Sequence, residues 1–196
     1  MAERLPAPRD DELSPRQREI ADGIRSGPRG ELVGPFTALL RSPDMARRCF
    51  ELLDYLRFKT TVNKRLNEFA ILIQARIANA QYEWWAHERI ARSAGLADSV
   101  MRELQQCQRP QAMQPDERLV YDYCTQLTLN HRVSDALWGE AVQAMGEQTV
   151  IDLTVLSGTY VMVSMLLNAT GVGIPGGAAE PLDVLDPAVI RQRLLA

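Results

Sequence analysis

Cysteine and histidine are scarce in this chain, with three cysteines and two histidines among 196 residues. Cys49, Cys107 and Cys124 are separated by long intervals, so they form no Cys-x-x-Cys pair, zinc-ligand spacing or disulfide framework. These absences exclude a disulfide-stapled or zinc-ribbon fold. They favour a reducing cytoplasm as the compartment, and we predict neither a metal nor a cofactor.

The chain also lacks an excess of basic residues and a long apolar leader. Its net charge is −3, whereas phosphate binding needs a clustered basic face, so we expect no nucleic-acid partner. The segment 1–12 has no apolar run of the kind that a secretory signal needs. The apolar stretch 153–167 is shorter than the roughly 20 residues that span a bilayer. We interpret it as a buried core helix and expect no membrane contact.

Sustained alternation of apolar and polar residues, which is typical of strands, is absent from the sequence. Capping residues followed by proline instead open helices, as at Ser14-Pro15 and Ser42-Pro43. The predicted fold class is therefore all-α, a compact helical bundle. The predicted helices cover 15–25, 43–58, 64–77, 82–93, 99–106, 115–130, 135–145, 148–170 and a short segment after Pro187, and an irregular loop runs through Gly34-Pro35-Phe36.

The segment 81–88 contains a pattern that carries chemistry. Glu83 and His87 stand four residues apart on a predicted helix, so their side chains share one face and can touch. A carboxylate beside an imidazole orients the ring and stabilises its charged form, which makes an acid/base pair near neutral pH. Glu68 lies on the preceding predicted helix, and a hairpin there would bring it level with His87.

A structural role for the same residues has to be weighed beside the catalytic one. Glu/His pairs at this spacing are common on exposed helix faces, where they serve no reaction. Glu68, near the start of a helix, could simply interact favourably with the helix dipole. The residues alone leave these alternatives open.

A longer pattern surrounds the pair: Glu68, eleven residues, Ala80-Gln81-Tyr82-Glu83, three residues and His87. This spacing resembles that of alkylhydroperoxidase D, with both cysteines of its Cys-x-x-Cys replaced. The resemblance covers 30–175 and is closer to the carboxymuconolactone decarboxylase branch, which commonly lacks the thiols. It is also carried by Gly34-Pro35-Phe36, Ser42-Pro43, Glu117-Arg118-Leu119-Val120-Tyr121, Asp152-Leu153-Thr154, Tyr160, Asn168, Trp84-Trp85 and Ala94-Gly95-Leu96.

The resemblance implies an alkylhydroperoxidase D-like bundle and a division of the chain into three parts. These are an N-terminal arm with the first helix at 1–29, a carboxymuconolactone decarboxylase-like helical domain at 30–175, and a C-terminal tail at 176–196. It also implies a homo-oligomer, trimeric, hexameric or dimeric. Peroxide reduction in this superfamily needs an attacking and a resolving thiol, which Ala80 and Glu83 cannot replace.

The function that the resemblance implies is a cofactor-independent lyase acting on a small carboxylated lactone or ring. His87, Glu83 and Glu68 are the predicted catalytic residues, and Tyr82, Phe36 and Trp84 are predicted to bind the substrate. The arginines are either anchors for a substrate carboxylate or ordinary surface charges; the candidates are Arg57, Arg76, Arg89 and Arg92. The alternatives are a non-catalytic oligomeric ligand-binding or scaffold protein and a peroxidase-related protein that has lost its redox pair.

Overall fold

The computed structural model describes residues 4–195, which fold into α-helices without any strand. The predicted all-α fold class is confirmed. Residues 1–3 of the predicted arm and residue 196 of the predicted tail lie outside the described part. The helices are α1 (Pro15–Ser26), α2 (Pro35–Leu39), α3 (Pro43–Phe58), α4 (Lys64–Ile77), α5 (Gln81–Ser93), α6 (Asp98–Gln105), α7 (Pro115–Asn130), α8 (Asp135–Met145), α9 (Glu147–Thr170) and α10 (Pro187–Leu194).

Local capping chemistry sets several of the helix starts. The Ser14 hydroxyl accepts a hydrogen bond from the Gln17 amide, and the Gln17 side chain accepts one from the Ser14 amide at 2.9 Å, so α1 opens with a capping box. Ser134 caps α8 by accepting from the Leu137 amide. Both starts agree with the sequence-based prediction.

Helix α4 is the central element of the bundle and packs against α5, α7 and α9. Every residue from Leu66 to Arg76 is buried, so no face of this stretch of α4 meets solvent. The apolar residues from Phe69 to Ile73 are completely enclosed. A side chain on α4 therefore has a fixed surrounding, which is what a site built on this helix requires.

The segment predicted as an irregular loop at Gly34-Pro35-Phe36 instead begins the short helix α2. Gly34 has φ 62°, and a Cβ atom there would lie 2.5 Å from the Tyr82 ring. The glycine thus lets the chain approach α5 closely, and Pro35 then supplies the first helical residue. The Gly-Pro pair marks a helix start here rather than a continuing loop.

Helix α9 spans 24 residues and is long and apolar enough to cross a membrane by length and composition. The helix begins at Glu147, before the apolar stretch 153–167 that we judged from the sequence to be too short to span a bilayer. More than half of its most apolar window, 56%, is buried inside the bundle. The burial is typical of the core helix that the sequence predicted.

The C-terminal segment packs onto the bundle. Leu182, Ile190 and Leu194 are buried, the last two on α10, which follows Pro187 as predicted. The side-chain amide of Gln81 binds both backbone groups of Leu182, donating to the carbonyl at 2.7 Å and accepting from the N–H at 2.9 Å. The end of the chain is thereby attached to the first turn of α5.

Candidate functional site

A tight hairpin between α4 and α5 brings the three predicted catalytic residues together. Asn79 adopts a left-handed backbone with φ 50°, which turns the chain between the two helices. His87 Nδ1 then lies 2.5 Å from Glu68 Oε2, and His87 Nε2 lies 3.0 Å from Glu83 Oε1. The imidazole therefore binds the Glu68 carboxylate of α4 through one nitrogen and the Glu83 carboxylate of α5 through the other.

All three side chains are removed from bulk water. Glu68 is completely buried, and Glu83 and His87 are only 2% and 5% exposed. Burial of unpaired charges is costly, so their mutual pairing is what makes this cluster stable inside the bundle.

Lys64, one turn before Glu68 on α4, completes the charge cluster. Its ammonium group lies 2.5 Å from the second carboxylate oxygen of Glu68. Burial alone would raise the pKa of Glu68, but the charges and hydrogen bonds of His87 and Lys64 outweigh it and lower that pKa to about 2. Glu68 is therefore ionised throughout the physiological range. Nothing in the sequence pattern singled out Lys64 for this position.

The protonation state of His87 follows from its two neighbours. Burial alone would lower the pKa of His87, but the charges of Glu68 and Glu83 and their hydrogen bonds raise it above its ordinary value of 6.5. The two carboxylates offer an acceptor to each ring nitrogen, an arrangement that favours the imidazolium form of His87.

A cavity of about 430 Å³ opens beside this charged cluster. Glu83 and His87 line it, whereas Glu68 lies behind the imidazole and holds it from the protein side. The Tyr160 ring meets the His87 ring edge-on, with centroids 5.4 Å apart. Buried aromatic walls beside a few polar groups are typical of small-molecule sites.

Two solved structures share this architecture. A peroxidase-related protein from Ralstonia eutropha JMP134, described as an alkylhydroperoxidase AhpD core, superimposes with a TM-score of 0.72 at 20% identity, covering 89% of this chain and 93% of that one. A peroxidase-related protein from Silicibacter sp. TM1040 gives a TM-score of 0.71 at 14% identity, with 89% and 92% covered. The chain has the alkylhydroperoxidase D fold. No protein-family model matches the sequence, and no curated protein matches it.

The positions that hold the redox cysteines in the alkylhydroperoxidase D pattern carry no sulfur here. Ala80 is completely buried, and Glu83 contacts His87. The three cysteines present are all buried, and burial raises the pKa of each thiol, that of Cys124 to about 12. Cys107, which follows the end of α6, is completely enclosed.

Two of the three predicted substrate-binding residues line the cavity of this alkylhydroperoxidase D-like bundle. Phe36 and Tyr82 contribute to its wall. Trp84 does not, because its side chain is completely buried in the core. Its neighbour Trp85 lines the cavity instead, since successive residues of α5 point in directions about 100° apart. The structure therefore does not place Trp84 at this cavity.

The candidate arginine anchors separate into two groups. Arg57 and Arg89 line the cavity. Arg76 instead donates to the carbonyl oxygen of Asp183 at 2.8 Å, which ties down the C-terminal segment, and Arg92 pairs with acidic residues on the surface. Arg29 also lines the cavity and was missed, because its Gly- and Pro-rich segment reads only as a helix stop.

Among residues 4–195, no group of three or more His, Cys, Asp or Glu side chains is placed to hold a metal ion. The acidic side chains near His87 bind its two nitrogens on opposite sides of the ring instead of converging on one point. The arrangement is built to position and charge an imidazole.

Proposed function

We propose that this protein is a cofactor-independent lyase that transfers a proton to a small carboxylated lactone or ring substrate. The observation that carries the proposal is the buried imidazole of His87, held between Glu68 and Glu83 at the wall of a cavity of about 430 Å³. That volume suits a single-ring substrate.

The chemistry follows from the direction of charge flow. Loss of carbon dioxide breaks a carbon–carbon bond and leaves its electron pair on the ring carbon, which must then be protonated. In the proposed reaction His87 Nε2 supplies that proton, either directly or through Glu83, which contacts Nε2 and lines the same cavity. Glu68 and Lys64 hold the imidazole in place, and solvent returns the proton to it after the product leaves.

A ligand-binding protein without turnover is the second candidate. The observation that favours it is that both nitrogens of His87 are already satisfied by carboxylates, an arrangement that also stabilises a fold. A thiol peroxidase is not favoured, because the three buried cysteines have raised pKa values and form little thiolate.

The two candidates are separated by an isotope experiment. Small unsaturated lactone and ring carboxylates are incubated with the protein in D₂O, and carbon dioxide release and deuterium in the product are measured. We expect wild-type turnover, and a loss of about 100-fold or more in His87→Gln, because glutamine keeps hydrogen bonding but transfers no proton.

Glu88→Gln is the matched control, because Glu88 neighbours His87 on α5 but pairs with Arg92 on the surface. It should leave the rate unchanged. If His87→Gln changes the melting temperature and leaves the rate alone, or if no acid in the panel is turned over, the ligand-binding candidate replaces the lyase.

We also propose that the protein acts as a homo-oligomer, a trimer, hexamer or dimer, in a reducing cytoplasm. Exposed apolar residues on α9 support an interface, since Ile151, Val155 and Met165 are 52%, 41% and 64% exposed. Light scattering coupled to size-exclusion chromatography gives the number of subunits, and a monomer at micromolar concentration would contradict this part of the proposal.

A further inference from the structure

Two arginines of the cavity wall form no ion pair with the acidic residues of segment 4–195. Arg29 lies in the turn after α1 and Arg57 near the end of α3, and both border the cavity. Within the described range, 4–195, neither takes part in a salt bridge. Nε and Nη2 of Arg29 and Nε of Arg57 are buried without a hydrogen-bond acceptor. Buried guanidinium nitrogens are normally paired, so this pair is unsatisfied as it stands.

Aromatic rings hold both guanidinium groups in place. The Arg29 guanidinium lies 4.9 Å from the Phe36 ring centroid and 5.5 Å from that of Phe58, and Arg57 lies 5.3 Å from the same Phe58 ring. Cation–π contacts compensate part of the lost hydration, but they satisfy no N–H group. The two cations are therefore positioned, and their donors are left for another acceptor.

The two guanidinium groups also affect one another. Burial, and after it the nearby charge of Arg57, lowers the pKa of Arg29. Two like charges in a partly buried site repel, and a shared anion would relieve both the repulsion and the missing hydrogen bonds.

We propose that Arg29 and Arg57 form an anion-binding subsite that holds the carboxylate of a small planar acid in the cavity beside His87. Guanidinium groups present N–H donors in a plane, which matches the two oxygens of a carboxylate. Three arginines, His87 and two glutamates line the cavity, so its wall carries an excess of positive charge that favours an anion. The aromatic walls suit a flat ring attached to that carboxylate.

This inference rests on the proposed function, because it names the residues that anchor the substrate of that site. The two proposals have different requirements, because the anion subsite requires only binding, whereas the lyase also requires proton transfer. Isothermal titration calorimetry with 2-furoate, a planar five-membered ring acid, measures binding without turnover. The neutral 2-furamide has nearly the same shape and is the matched ligand, and inorganic phosphate tests for a tetrahedral anion.

We expect 2-furoate to bind wild type at least about tenfold more tightly than 2-furamide does. Arg29→Gln and Arg57→Gln should each weaken 2-furoate about tenfold or more, and Arg57→Lys should weaken it less, because it keeps the charge but loses the planar donors. Arg92→Gln removes a surface arginine that is paired outside the cavity and should bind as wild type does. Circular dichroism establishes that each variant is folded.

The subsite is refuted if 2-furoate does not bind wild type at millimolar concentration, if 2-furamide binds equally well, or if both arginine variants bind 2-furoate like wild type. Tighter binding of phosphate than of 2-furoate would overturn the carboxylate assignment. If 2-furoate binding depends on the arginines but no acid is turned over, the lyase is refuted and the subsite is supported. If an acid is turned over but 2-furoate binding does not depend on the arginines, the subsite is refuted and the lyase is supported.

Discussion

Replacing Gly34 with alanine should destabilise the protein strongly, because two separate costs fall on one methyl group. The backbone at Gly34 has φ 62° and ψ −130°, a region that side chains strongly disfavour, at a cost of about 1–3 kcal/mol. The added Cβ would also lie 2.5 Å from Cε1 and 2.8 Å from Cζ of Tyr82. Overpacking of this kind costs about 1–3 kcal/mol more.

The sum is about 2–6 kcal/mol of unfolding free energy, a large share of the total stability of a domain of this size. Gly30→Ala is the control for backbone strain, because Gly30 has φ 73° with nothing within 4 Å of a Cβ. It should cost about 1–2 kcal/mol. Gly23→Ala, inside α1 and with open space around it, should stabilise by about 0.5–1 kcal/mol.

Urea denaturation followed by circular dichroism gives these free energies from the transition midpoints. Repeating Gly34→Ala in a Tyr82→Ala background isolates the steric cost, since removing the ring leaves only the strain. A Gly34→Ala cost no larger than that of Gly30→Ala, or one unchanged by removal of the Tyr82 ring, would refute the close contact between α2 and α5 that shapes the cavity wall.

Four further predictions concern the charged cluster and the thiols. The raised pKa of His87 contributes stability that is present below pH 6.5 and is lost as the pH rises through the pKa of the folded protein. His87→Gln should therefore flatten the alkaline side of a plot of melting temperature against pH. The lowered pKa of Glu68 contributes stability that is present above pH 4.5 and is lost as the pH falls towards 2. Glu68→Gln should therefore flatten the acidic side of the same plot. Unchanged plots for the two variants would contradict the shifted pKa values of His87 and Glu68. Glu83→Gln should reduce turnover less than His87→Gln does and shift the alkaline limb of the rate profile to lower pH, whereas an unshifted limb would exclude Glu83 as a charge partner of His87. The protein should not reduce hydroperoxides with a dithiol donor, and such turnover, abolished by Cys107→Ser, would overturn that prediction.

Helix-forming signals in the sequence anticipated most of the fold because they act over three or four residues. Ser14 and Ser134 cap the helices that they were predicted to cap. Gly34-Pro35 was misread because the same dipeptide ends one helix or starts another, depending on what lies beside it. Here the Tyr82 ring, from a helix more than forty residues away, explains the need for glycine.

In the candidate site, too, local spacing predicts one contact, whereas the surroundings of that contact depend on tertiary packing. Contact between Glu83 and His87 follows from their spacing on one helix, but that spacing does not say whether the pair faces water or the core. Burial next to α4 converts a common surface pair into a charged cluster with Glu68 and Lys64. Membership of the cysteine-less branch, and the decarboxylation that it implies, remain predictions.

The sequence by itself determined the all-α class, the contact between Glu83 and His87 on α5, and the absence of sulfur from the positions that hold the cysteines in the alkylhydroperoxidase D pattern, because each depends only on residue type and local spacing. The tertiary structure alone decided that Trp85 and not Trp84 meets the cavity, and that Arg29 joins Arg57 there. Those outcomes depend on how helices distant in sequence pack and rotate against each other. Packing is a property of many side chains together, and no local pattern encodes it.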